Sequence, residues 1–154
     1  MSATAEKPVL PGSLNSNRSL ERWIQVRTDG TVGVRVGKVE IGQGILTALA
    51  QVAADELDLG LHQVRILTAN TEANPNEGMT SGSRSVEESG EALRFACAEV
   101  RALFLEAAAR KLGVSIEKLE ITEGRFHADG RATSYWELGA ETDLGREATG
   151  QVLP

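Results

Sequence analysis

The stretch Gly37-Lys38-Val39-Glu40-Ile41-Gly42-Gln43-Gly44 gathers residue types that hold a ligand against the backbone. Glycine lacks the Cβ that keeps a ligand off the main chain, so three glycines within eight residues let N–H groups approach a bound group closely. A helix expected from about Ile45 aims its positive dipole end at the same place, and an anionic, phosphate-bearing group is the natural guest. A second polar run, Thr80-Ser81-Gly82-Ser83-Arg84-Ser85, brings hydroxyls and amides ahead of a second helix. Two helix N-termini could then converge on one anion. Both features also have ordinary structural uses, since glycine turns commonly precede helices and Ser/Thr runs commonly supply N-caps. The length of the loop from Asn70 to Gly82 favours a functional use.

Other chemistry finds less support. Gly33-Val34-Arg35-Val36-Gly37-Lys38 lacks the spacing and the Ser/Thr of a P-loop, and no Gly-x-Gly-x-x-Gly occurs, so mononucleotide hydrolysis is not indicated. Cys97 falls on an apolar stripe and reads as a small buried hydrophobe. As the only cysteine, it excludes an internal disulfide and any structural zinc or iron–sulfur site built from this chain alone. His62 and His127 have no second ligand at metal spacing and read as surface residues. Glu87, Glu88 and Glu91 suit a solvated first helical turn, whereas Glu40 stands inside the glycine loop itself. A paired-carboxylate hydrolase would need a second acid placed opposite it.

The elements that must position these loops follow from periodicity. Met1 to Asn17, rich in Ser, Pro, Ala and Asn, is expected as an extended arm. Trp23 to Thr28 and Val32 to Val36 alternate about an Asp29-Gly30 turn, giving an antiparallel hairpin that leads into the glycine loop. Ile45, Leu49, Val52, Ala53 and Leu57 form one face of a helix reaching Leu59. Gln63 to Ala69 reads as a third strand. Leu93, Ala96, Cys97, Val100, Leu103, Phe104 and Ala107 form the stripe of a long second helix that Gly113 ends. Leu119 and Ile121 start a strand, Glu123-Gly124 turns it, Arg125 to His127 returns, and Asp129-Gly130 turns again; Ser134 caps a short helical turn carrying Tyr135, Trp136 and Leu138. The order β-β-α-β-α-β-β describes an α+β fold, a small mixed or antiparallel sheet with two helices packed on one face. The domain spans 18–141, between the arm at 1–17 and a polar tail at 142–154.

At 154 residues the chain fits one domain, and its 41% apolar and 25% charged content is that of a globular protein. A net charge of −6 without a basic stripe argues against general affinity for nucleic acid or anionic membrane. With neither a leader pattern in the first thirty residues nor an apolar run of spanning length, a cytoplasmic protein without a membrane span is expected.

Several stretches together resemble a known family. Gly37 to Thr47, Gln51 to Leu57, Thr80 to Ser85 and Gly90-Glu91-Ala92-Leu93-Arg94 look like the molybdopterin-binding subunit of the molybdenum hydroxylases, the xanthine dehydrogenase and aldehyde oxidase family. Ser134 to Leu138 and Asp143 to Gly150 bring it closer to the isoquinoline 1-oxidoreductase and nicotinate dehydrogenase branch, so the likeness covers about Pro11 to Gly150. It implies that Gln43 hydrogen-bonds the cofactor while Gly42 and Gly44 permit close backbone approach. It also implies that Thr80, Ser81, Gly82, Ser83 and Ser85 supply hydroxyl and backbone donors to the pterin and its phosphate, with Ser81 and Gly82 nearest the substrate. The implied reaction hydroxylates a carbon of an N-heterocycle or an aldehyde with oxygen from water.

The cofactor implied is molybdenum on molybdopterin, in the cytosine dinucleotide form, shared with a partner chain, and the [2Fe-2S] clusters lie in a separate small subunit. A cytochrome c is a candidate acceptor. In the family the molybdenum subunit is several times longer, and its catalytic glutamate lies near the far C-terminal end, beyond any stretch matched here. This chain is therefore expected to supply cofactor contacts but no catalytic residue and no metal ligand, the remaining part of the molybdopterin-binding subunit completing the site. The alternative is a non-catalytic binding or assembly module with the same fold and no cofactor. A small phosphate-binding enzyme acting alone is the weakest reading, since it lacks both P-loop and base.

Overall fold

The computed structural model describes residues 7–67, 74–78 and 85–154. Strands β1 (Ile24–Val26) and β2 (Val32–Arg35) pair antiparallel, with Ile24 opposite Val34 and Val26 opposite Val32. Gly30 takes φ +80° in the turn, and Asp29 accepts hydrogen bonds from the Thr31 amide and hydroxyl, so the Asp-Gly pair closes the hairpin as its chemistry demands. After the glycine loop comes α1 (Ile45–Glu56), and β3 (Val64–Leu67) then returns parallel to β2, Val32 facing Val64. A parallel return requires a crossover, and α1 supplies it.

Chain 85–90 winds as a π-helical turn and continues as α2 (Glu91–Leu112). Gly113 ends the helix at φ +65°, its N–H donating to the Ala109 carbonyl, as expected of a C-cap glycine. A second antiparallel sheet follows, of β4 (Glu120–Thr122), β5 (Arg125–Ala128) and β6 (Arg131–Ser134), closed by α3 (Tyr135–Leu138). Its two tight turns place Glu123, Gly124, Asp129 and Gly130 at positive φ. Ser134 Oγ accepts from the Glu137 amide at 3.2 Å, the expected cap.

The fold class is α+β as expected, but the strands form two three-stranded sheets, β1-β2-β3 and β4-β5-β6, in place of one. The sequence pattern missed β6 because Arg131-Ala132-Thr133-Ser134 carries no alternating large apolar residues. Its pairing comes from the Asp129-Gly130 turn and from the burial of Thr133 and Ser134.

The helices and both sheets share a core in which Trp23, Leu49, Leu57, Leu93, Phe104, Phe126 and Tyr135 are fully enclosed. The N-terminal segment joins it: Gly12–Asn15 forms a 3-10 turn, and Leu10 and Leu14 are buried where an extended arm was expected. The C-terminal tail is pinned too. Glu99 of α2, itself buried, accepts from the Thr149 amide at 2.8 Å, the Thr149 hydroxyl at 2.7 Å and the Gly150 amide at 2.7 Å. Among the described residues no helix is long and apolar enough to cross a membrane.

Candidate functional site

Because β2 and β3 run parallel, their carboxyl ends open on the same edge of the sheet. That edge is where open sheets with parallel strands bind ligands, because the connecting loops gather there. The glycine loop leaves β2, and residues 74–78 come after β3 in the chain. Asn74 ties the two exits together, its Nδ2 donating to the Val36 carbonyl at 3.1 Å and the Leu67 carbonyl at 3.5 Å.

Within the glycine loop, Gly42 and Gly44 adopt φ +98° and +75°, a backbone that L side chains avoid. A Cβ at either position would meet nothing within 4 Å, so their α-carbons face open space and leave the backbone approachable. Val39 and Ile41 flank the turn with exposed apolar side chains, Ile41 at 81% exposure. The side chain of Gln43 spans the turn: Oε1 accepts from the Ile41 amide at 2.6 Å and Nε2 donates to the Val39 carbonyl at 3.0 Å. One amide hydrogen and one oxygen lone pair of Gln43 remain for a ligand.

Glu40 has a role that sequence reasoning left open. Its Oε1 accepts from the Gly42 and Gly44 amides, both at 2.8 Å, and its Oε2 from the Leu46 amide at 3.2 Å. The chain's own carboxylate thus holds the positive end of α1 that was expected to receive an anionic guest. The Gly44 N–H first, then that of Leu46, hold the Glu40 carboxyl below the usual glutamate range. The signal was available in the sequence as an acid four residues ahead of the N-cap Gly44, but its hydrogen-bond targets depend on two left-handed glycines that spacing does not reveal.

The start of α2 packs onto α1: a Cβ on Gly90 would lie 3.9 Å from Leu49 Cδ2 and 3.6 Å from Val86 Cγ1. The N-terminal half of α1 and the π-helical turn thus lie side by side, and π geometry inside helices often marks functional positions. Of the second expected loop, Thr80, Ser81, Gly82 and Ser83 lie outside the described residues, and Ser85 is placed only as the first residue of the π-helical turn. His62 and His127 are exposed. Burial drives the Cys97 thiol far above its usual range, with the Glu56 charge adding to the effect, so it is an inert core residue. A cavity of about 460 Å³ lies at the outer edge of β1, lined by Glu21, Arg22, Ile24 and Leu144 among others, and none of the expected site residues borders it.

An exposed turn with open glycines, apolar flanks and a braced amide suits the edge of a flat, neutral, hydrogen-bonding heterocycle. It does not suit a phosphate at the α1 terminus, where Glu40 would have to be displaced. A model of the molybdopterin cofactor-binding domain matches residues 3–152. The chain belongs to that family. Members similar to it include a nicotinate dehydrogenase chain of Pseudomonas putida, 41% identical over 122 residues, which are 79% of this chain and 10% of that protein. The beta chain of isoquinoline 1-oxidoreductase from Brevundimonas diminuta is 32% identical over 131 residues, 79% of this chain and 17% of that one. Among solved structures, CO dehydrogenase from Oligotropha carboxidovorans superposes with a TM-score of 0.64 at 32% identity, covering 75% of this chain and 15% of that one. The chain thus spans a small part, 10% to 17%, of each of these three relatives.

Proposed function

We propose that this chain forms the Gln43-bearing part of the molybdenum-cofactor site in a hydroxylase that oxidises an N-heterocycle or an aldehyde with oxygen from water. The observation that carries the reading is the Gly42-Gln43-Gly44 turn, held open toward solvent and placed at the shared carboxyl edge of β2 and β3. The names of the nicotinate and isoquinoline relatives favour an N-heterocycle as substrate. When bound, the cofactor supplies the oxidation of the substrate carbon, and the protein supplies orientation and electrostatics.

In this proposal Gln43 offers its remaining amide hydrogen and oxygen lone pair to the pterin edge, Gly42 and Gly44 allow main-chain contact, and Ile41 covers one flank. Thr80, Ser81, Gly82, Ser83 and Ser85 would hold the pterin and its phosphate, which Glu40 keeps away from α1. The general base comes from the remaining part of the molybdopterin-binding subunit, since no residue of this chain is assigned that role. The cofactor carries a cytosine dinucleotide, electrons pass to [2Fe-2S] clusters in a separate subunit and on to an acceptor such as a cytochrome c, and the assembly resides in the cytoplasm, which cell fractionation checks.

A second reading, a binding or assembly module without cofactor, is favoured by one feature: Gln43 and Glu40 already satisfy most of the polar groups of the turn. Replacing Gln43 by Ala in the complex purified with its partners separates the two. A fall in molybdenum and pterin per complex supports the hydroxylase reading. Wild-type complex that contains neither, with partner binding as the property that Gln43→Ala alters, supports the second.

A further inference from the structure

Lys38 is buried, its side chain only 2% exposed, although its neighbours from Val39 to Gly44 are all exposed. An enclosed ammonium survives only when acceptors face it. Here the Glu77 carbonyl accepts from Nζ at 3.2 Å, and the Glu88 carboxylate lies 4.0 Å away on the π-helical turn ahead of α2. The Glu77 end of this link is braced. The Glu77 carboxylate accepts from the Gly37 amide at 2.6 Å and from the Ser13 hydroxyl at 2.7 Å. Beside it, Asn17 and Asn76 exchange two bonds, Nδ2 of Asn17 to the Asn76 carbonyl at 2.9 Å and the Asn76 amide to Asn17 Oδ1 at 2.8 Å. Two residues beyond Lys38, roughly 7 Å of extended chain at most, Glu40 organises the glycine turn.

We propose that Lys38 is a positioning residue that sets the glycine turn against the start of α2, its ammonium joining the 74–78 segment on one side to Glu88 on the other. It touches no cofactor atom in this account; it acts through Glu40 and Gln43. The expectation for the cofactor rests on the turn's being a cofactor contact, whereas the mechanical coupling does not. Methionine at this position keeps an apolar stem and loses the charge, while arginine keeps the charge with a different donor geometry.

The test uses the complex purified with its partners, carrying Lys38→Met, Lys38→Arg or Glu88→Gln. Hydrogen exchange is measured across the chain, with molybdenum and pterin per complex. Lys38→Met is expected to speed amide exchange in 39–46 and 85–90 by about tenfold or more, the scale of one lost charge-assisted hydrogen bond, with β4 to β6 unchanged. Lys38→Arg is expected to recover much of the protection, and Glu88→Gln, which leaves the buried stem in place, to loosen the same two segments. Molybdenum and pterin should fall together in Lys38→Met and return in Lys38→Arg. Wild-type exchange rates at 39–46 in Lys38→Met, or a uniform rise along the whole chain that Glu88→Gln does not localise, overturn the inference. A wild-type complex without molybdenum or pterin defeats the proposed function instead, and the exchange pattern still decides the role of Lys38.

Discussion

Replacing Gly37 by Ala should unfasten the glycine loop at its start without altering Gly42, Gln43 or Gly44. A Cβ at residue 37 would press into the Pro75 carbonyl oxygen, well inside contact distance, and would stand 3.0 Å from both Glu77 Cβ and Cγ. The carbonyl must retreat by roughly 1 Å to restore a carbon–oxygen spacing of about 3.3–3.6 Å. Such a shift stretches the 2.6 Å bond from the Gly37 amide to Glu77 and the 3.2 Å bond from Lys38 to the Glu77 carbonyl beyond useful length. Overpacking of this kind costs about 1–3 kcal/mol, which corresponds to a rise of roughly 5- to 150-fold in the local opening constant. Hydrogen exchange by mass spectrometry on peptides covering 36–46 and 74–78 reads it directly. Exchange indistinguishable from wild type in both peptides would contradict this coupling, because the added methyl would then have found room that the packing denies it.

Four further outcomes follow from the same packing. Among the described residues, Tyr135 and Ser89 each bury a hydroxyl without a partner, so Tyr135→Phe and Ser89→Ala should leave stability unchanged or raise the melting temperature by roughly 2–4 °C; a clear fall in a thermal melt would mean the hydroxyl is bonded. Glu99→Ala strips three acceptor bonds from the tail, and limited proteolysis should cut after residue 146 faster than in wild type by about tenfold or more; equal cutting rates would contradict the clasp. Since the Glu40 carboxyl titrates below its ordinary range in the fold, its hold on the turn is complete above that range and is lost as pH falls through the lowered value. Glu40→Gln should accordingly show, at neutral pH, the faster Gly42, Gly44 and Leu46 exchange that wild type shows only in acid, after correction for the intrinsic rate. Cys97 should resist alkylation in the folded complex and react readily once denatured; rapid native labelling would show that its helix face is open.

Local chemistry was the legible part of this chain. The Asp29-Gly30 hairpin, the buried faces of α1 and α2, the Gly113 cap and the Ser134 cap all follow from periodicity and from what single residue types permit. Long-range polar bonds were not legible. Nothing in the spacing announces that Glu99 will hold Thr149, that Asn17 will pair with Asn76, or that Lys38 will be enclosed between Glu77 and Glu88, because such partners are set by how elements stack. The division into two sheets was hidden for a similar reason, as β6 is short and weakly apolar and owes its place to its neighbour. The glycine turn was visible as an open loop ahead of α1, but its electrostatics were inverted by Glu40, an acid of the same loop that turns back onto the helix it precedes.

The most direct test of the central claim is an experimental structure of the complex with its cofactor. The pterin edge is expected within hydrogen-bonding distance of the Gln43 amide, with the Gly42 and Gly44 α-carbons in contact with it and Glu40 still capping α1. A pterin located away from residues 41–44, or its phosphate seated on the α1 N-terminus in place of the Glu40 carboxylate, would contradict it.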